Sequence, residues 1–342
     1  MHLSSVFARL TLIFVVGLGQ ALAEDLYIVG SSTVHPFSET TADHLPDDIN
    51  VRIELTGTNG GILLFCNSAT GAPDIANASR ALRPDEREYC QSKGVTQIDE
   101  YRFGYDGVVV ATGNKSRLTS LTTKQLFLAL AEKIPAGDGS CRLIKNPNRK
   151  WRDLSPALPN VPIEVYGPPL TSGTRDAFID LAIAAGARQL PCLNALSVDD
   201  PNTFRYLVES LRVDGAWIDA GENDHAIAST VKASRTGLGI FGFATLLSAQ
   251  GSLRAIEIDG VEPARTTISD TTYPLARPLY FYANMGRPER MSQIRRFVRE
   301  SFSEDAQGSE GYLAQKGLVP LSETELETIR TRISDRQSAI VD

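Results

Sequence analysis

Hydroxyl and glycine residues recur in this sequence where a strand-like apolar run gives way to a helix. The first such point is Gly30-Ser31-Ser32-Thr33-Val34, which follows Leu26–Val29 and leads into Pro36-Phe37-Ser38. Pro36 suits the first turn of a helix, where a missing N–H costs nothing. A strand that turns into a helix through small hydroxyl residues aims free N–H groups at one point. The helix dipole adds about half a positive charge there. Such a turn can hold an anion, although Ser and Thr also cap helices without any ligand.

The same arrangement returns. Gly57-Thr58-Asn59-Gly60-Gly61 lies between an alternating strand (Val51, Ile53 and Leu55 on one face) and the helical run Ile62–Cys66. Ala78-Ser79-Arg80 ends the apolar stretch that begins near Asp74. An unpaired guanidinium after a buried strand is costly, so Arg80 needs either a carboxylate or a bound anion. Gly167 to Phe178 is the last of the set. There Thr171 or Ser172 can cap, Ser172 and Thr174 supply hydroxyls, and Gly173 lets another backbone approach. Arg175 can bind an anion or pair with Asp176 or Asp180.

The elements that must position these turns follow a strand–turn–helix order from Asp25 to Phe103. Further strands are predicted at Tyr105–Val110, Ile163–Tyr166, Gly237–Phe243 and Pro278–Tyr282, with a hairpin edge at Ile256–Asp259. Helices are predicted at Pro36–His44, Leu118–Ala131, onward from Phe178, around Ile227–Val231, at Met291–Phe302 and at Glu323–Ile333. Residues 135–162, rich in Gly, Pro and Asn, read as loop around a small core anchored by Cys141 and Trp151.

Composition sets the frame. The chain has 342 residues, 42% hydrophobic and 22% charged, with a net charge of −7, which suits about two domains. The acidic balance disfavours a nucleic-acid binder. Residues 1–23 combine Arg9, the apolar run Leu10–Leu18 and the small-x-small Ala21-Leu22-Ala23. This predicts a signal peptide cleaved after Ala23, no later membrane span, and a soluble exported protein. In an oxidising compartment the four cysteines favour disulfides. Of the three pairings, chain order favours Cys66–Cys90 and Cys141–Cys192. No metal site is expected, since there is no Cys-x-x-Cys and only four His.

Taken together, the turns describe a small, dry oxyanion site built from neutral donors. Charge-assisted hydrogen bonds to an anion are roughly twice as strong as neutral ones, so a weakly basic site suffices. No nucleophile is paired with a base. His35 and His44 sit in no catalytic pattern, His225 beside Asp224 reads as a surface or hinge pair, and neither Gly-x-Ser-x-Gly nor Gly-Lys-Ser/Thr occurs. The chain is therefore not expected to be an enzyme or to carry a cofactor.

The order and spacing of Gly30-Ser31-Ser32-Thr33-Val34, Gly57-Thr58-Asn59-Gly60-Gly61, Ala78-Ser79-Arg80 and Ser172-Gly173-Thr174-Arg175-Asp176-Ala177-Phe178 resemble the phosphate-binding proteins of bacterial ABC-type phosphate uptake systems. Weaker matches are Tyr105-Asp106-Gly107, Gly239–Phe243 and Arg277-Pro278-Leu279. The resemblance implies a two-lobed α/β periplasmic binding protein (type II), with two crossover strands and the ligand in the interlobe cleft. Residues 24–104 and 252–342 would form one lobe and 105–251 the other. It implies a periplasmic monomer that binds inorganic phosphate and delivers it to an inner-membrane ABC permease.

The ligand donors carried over are Ser32, Thr33 and the Val34 backbone, Thr58 (commonly Ser in the family), Ser79, and Ser172, Gly173 and Thr174. Arg80 stands where many members have an Asp that accepts the proton of hydrogen phosphate, which places this chain in an Ala-Ser-Arg subgroup. Pro168 stands where many have an Arg. Arg80 is therefore expected to replace the missing cation, Arg175 remains a candidate anion contact, and the proton acceptor is sought first at Asp106, then at Glu222 or Asp224. The rival readings are the same scaffold on another oxyanion such as sulfate or molybdate, an exported phosphatase or hydrolase using Ser32 or Ser172, and an interaction protein that has lost its ligand.

Overall fold

The computed structural model describes residues 25–221, 223–249, 251–308 and 310–338. The expected signal peptide and Glu222 lie outside the described residues.

Strand β1 (Leu26–Gly30) is an apolar run that pairs in parallel with β2 (Val51–Leu55) on one side and β3 (Ile75–Ala78) on the other. Parallel neighbours need crossovers. Helix α1 (His35–Ala42) supplies the first and α2 (Gly57–Phe65) the second. The expected helix from Ile62 starts earlier, because the glycine turn is itself the first turn of α2. Its small residues allow this: a Cβ on Gly61 would lie 2.5 Å from the Cα of Gly30.

Strand β4 (Ile98–Gly113) is far longer than the expected Tyr105–Val110. Its first half pairs antiparallel with the return strand Ala276–Asn284, which also pairs with β3. Its second half pairs with Leu238–Gly242, and that strand leads on to Val165–Gly167 and Trp217–Asp219. One nine-stranded sheet thus runs through both halves of the molecule, with β4 as the member that pairs on both sides.

Pairing also decides where the chain returns. Leu253–Ala255 pairs with the end of β4, and Glu257–Ile258 pairs with Ser120–Leu121. Residues 253–258 thus meet the end of β4 and Ser120–Leu121, and the strand that returns to β3 opens at Ala276.

An aromatic cluster of Tyr101, Phe103, Phe281, Phe297 and Phe302 packs the first half. Trp151 is fully buried, as expected for the loop region. Cys66 and Cys90 form a buried disulfide between the end of α2 and α3 (Pro84–Ser92). The expected Cys141–Cys192 bond is not formed. Cys141 is exposed rather than a buried anchor, and Cys192 is half-buried. The two thiols do meet: burial and the hydrogen bond with Cys141 push the Cys192 thiol up. Chain order brought the right cysteines together, but contact leaves them as thiols. Among the described residues no helix is long and apolar enough to cross a membrane.

Candidate functional site

Three of the singled-out turns lie at the ends of parallel strands in the first half. Gly30 adopts φ +129°, and a Cβ there would strike the Asn77 carbonyl oxygen at 2.1 Å. This close approach to β3 starts the turn. The hydroxyls that follow do not cap α1, whose N-cap is Val34 with no side-chain acceptor. The Ser31 Oγ instead accepts from the Thr33 N–H at 3.2 Å, and the Ser31 carbonyl accepts from the Val34 N–H at 3.2 Å. Ser32 and Thr33 are left half-buried at the tip.

The second and third turns meet through side chains. The Thr58 Oγ1 lies 3.1 Å from the Ser79 Oγ and accepts from the Ser79 N–H at 3.1 Å. Arg80 points elsewhere. Its guanidinium donates to both Glu86 oxygens, at 2.8 and 2.6 Å, and to the Asn59 Oδ1. Burial would raise the Glu86 pKa, but Arg80 and the Arg83 N–H outweigh it and hold the carboxyl below its ordinary range. Of the two partners the sequence left open for Arg80, the structure supplies the carboxylate. Its charge is engaged by Glu86 in this structure.

The fourth turn comes from the second half. Ser172 caps the helix Gly173–Phe178, its Oγ accepting from the Thr174 N–H at 3.2 Å. Gly173 is pressed against the first turn: a Cβ there would lie 2.3 Å from the Ser32 Oγ, 2.5 Å from the Thr33 Oγ1 and 2.8 Å from the Thr33 backbone nitrogen. The two halves therefore touch at the turns singled out in the sequence. Arg175 is buried in the wall behind this contact. It stacks over the Trp217 ring at 4.9 Å and donates to the Pro168 carbonyl at 3.4 Å. Burial lowers its pKa, opposed by Asp219 and Asp176.

The charged centre lies on β4 and the return strand. Asp106 of β4 and Arg277 of the return strand are directly opposed in the ladder, a register that favours opposite charges. Both are buried. The Arg277 Nη2 donates to the Thr33 Oγ1 at 2.5 Å, to the Gly173 carbonyl at 3.2 Å and to Asp106 at 3.5 Å. One guanidinium nitrogen thus joins the first turn, the fourth turn and β4. Burial lowers the Arg277 pKa, opposed chiefly by the Asp106 charge. Asp224 lies near enough for Asp106 to act on it. Burial raises its carboxyl, Asp106 adds to this, and the Gly242 N–H, which donates to it at 3.0 Å, opposes it.

The sequence reading noted Arg277 but gave it no role. The available signal was an Arg opening an apolar strand just before Pro278. His35 and His44 have partners in or beside α1. The His35 Nε2 is 3.1 Å from Glu39, while His44 bonds the Thr40 carbonyl and stacks on Tyr312.

Residues 19–305 match the model of the PBP superfamily domain. The chain is 31% identical over 278 residues to Protein SphX of Synechococcus elongatus, covering 79% of this chain and 70% of the relative. It is 25% identical over 314 residues to the phosphate-binding protein PstS of Staphylococcus saprophyticus, covering 90% of this chain and 83% of the relative. In fold it is similar to a possible phosphate-binding protein from Planctomyces limnophilus (TM-score 0.69, 23% identity, 92% of this chain and 99% of that one). It is also similar to a putative phosphate ABC transporter substrate-binding protein with bound phosphate from Clostridium perfringens (TM-score 0.54, 21% identity, 87% of this chain and all of that one). With one sheet running through both halves and its turns meeting between them, this chain belongs to the PBP superfamily.

Proposed function

We propose that this protein is a periplasmic receptor, not an enzyme, that binds inorganic phosphate between its two lobes and hands it to an inner-membrane ABC permease. The observation that carries this reading is the contact of Gly173 with Ser32 and Thr33. It joins hydroxyl-bearing turns from two lobes around a buried Asp–Arg pair. The names of the relatives and the phosphate bound in the Clostridium neighbour support the choice of anion.

In this reading Ser32, Thr33, Thr58, Ser79, Ser172 and Thr174 offer hydroxyls, and the turn around Gly173 offers backbone N–H groups. The Val34 N–H joins them once it leaves the Ser31 carbonyl. The ligand stabilises the closed state because it bonds both lobes at once, and opening releases it to the permease. The mature chain begins after Ala23 and works as a monomer.

The mature protein is expected to bind phosphate tightly in titration calorimetry, with sulfate and molybdate much weaker, and to release no phosphate from esters. Absence of binding to phosphate, or stronger binding of another oxyanion, would overturn the reading. Asp106 accepts the proton of hydrogen phosphate, which sulfate lacks. Asp106→Asn should therefore weaken phosphate by at least about tenfold, the scale of one charge-assisted bond, and sulfate less. Equal losses for both anions would remove Asp106 from this role.

A further inference from the structure

We propose that Arg277, carried on the return strand, is the cationic ligand of the bound oxyanion and stands in for the Arg absent at Pro168. The inference rests on the oxyanion-receptor reading and assigns its charge.

Three observations place it there. Arg277 is 7% exposed, yet its Nε has no hydrogen-bond partner among the described residues. A buried donor left unmade costs about 1–3 kcal/mol, more when charged, so native structures rarely tolerate one without a use. The Nε shares one edge of the guanidinium with Nη2, and that edge is the fork that takes two oxygens of one oxyanion. The Nη2 already lies at the Thr33 hydroxyl and the Gly173 carbonyl, residues of the two turns that meet at the site.

The alternatives are weaker on the same grounds. Arg80 is engaged bidentately by Glu86, and Arg175 is stacked on Trp217. Asp106 balances Arg277 through one contact at 3.5 Å. Because Asp106 and Arg277 are ladder partners on the return strand and β4, where the sheet passes from one half to the other, the charge keeps its place when the lobes part. An incoming anion therefore meets it first, and Thr33 and Gly173 close around the anion afterwards.

The test is phosphate titration of the mature wild type, Arg277→Lys, Asp106→Asn and the double variant Asp106→Asn/Arg277→Met, with thermal melts of each. Lys keeps the charge but not the fork, so Arg277→Lys should bind at least about tenfold more weakly. The double variant removes both charges of the buried pair, so that neither is left unpaired. It should bind at least about 100-fold more weakly than Asp106→Asn alone. A merely structural Arg277 would lower the melting temperature and leave the affinity of the folded variants unchanged, and that result overturns the inference. A wild type that binds no phosphate overturns instead the receptor reading on which it rests.

Discussion

Replacing Gly173 by Ala is expected to weaken phosphate binding by at least about 100-fold, or about 2.8 kcal/mol, while leaving the unliganded fold intact. The new methyl carbon would lie 2.3 Å from the Ser32 Oγ and 2.8 Å from the Thr33 backbone nitrogen. A side-chain hydroxyl can rotate away, but a backbone nitrogen held in the turn that leads into α1 cannot. The lobes would stop short of the contact by about 1 Å, and misplacement on that scale can be very costly where hydrogen bonds converge. Gly173 opens a helix and has no left-handed φ, so Ala suits its backbone and each lobe should fold normally. Calorimetry of phosphate binding beside a thermal melt separates the two effects. Wild-type affinity in Gly173→Ala would show that closure onto Ser32 and Thr33 plays no part in binding.

The largest expected loss of stability lies away from the site. Asp74 is 1% exposed, accepts from the Tyr27 N–H at 3.0 Å and from Arg287 at 3.2 Å, and has Arg290 at 4.0 Å. Burial pushes its carboxyl up against the pull of the Tyr27 N–H, Arg290 and Arg287. The pair is therefore no strong net stabiliser, yet breaking it is costly. Asp74→Ala strands the β1 N–H and leaves Arg287 with only carbonyl partners among the described residues. It should cost about 3–5 kcal/mol, read as a lower denaturant midpoint with an unchanged m-value. Asp74→Asn keeps an acceptor for Tyr27 and should cost less. A loss below about 1 kcal/mol in Asp74→Ala would show that this cluster does not hold β1 to the segment that follows the return strand.

Local chemistry made much of this protein legible in one dimension. The apolar runs of β1 and β3, the proline that starts α1 and the capping role of Ser172 all depend on neighbours in the chain. Spacing marked Ser32, Thr33 and Gly173 as groups that could face a common point, and the cysteine order selected Cys66–Cys90. Other features depend on partners distant in sequence. Whether Arg80 meets an anion or a carboxylate turned on where Glu86 lies once α3 is packed. The length of β4 and the late return at Ala276 follow from strand pairing, which binds residues more than a hundred positions apart. Arg277 gained its place in the same way. In sequence it is one arginine before a proline, 244 positions from Thr33. Only the ladder that sets it opposite Asp106 brings its guanidinium between the turns. The amino-acid sequence alone determined that this chain carries strand-to-helix turns rich in neutral hydroxyl and glycine residues; the tertiary structure decided which positive charge stands among them, because a buried ion pair is defined by the strands that meet and not by the residues that flank it.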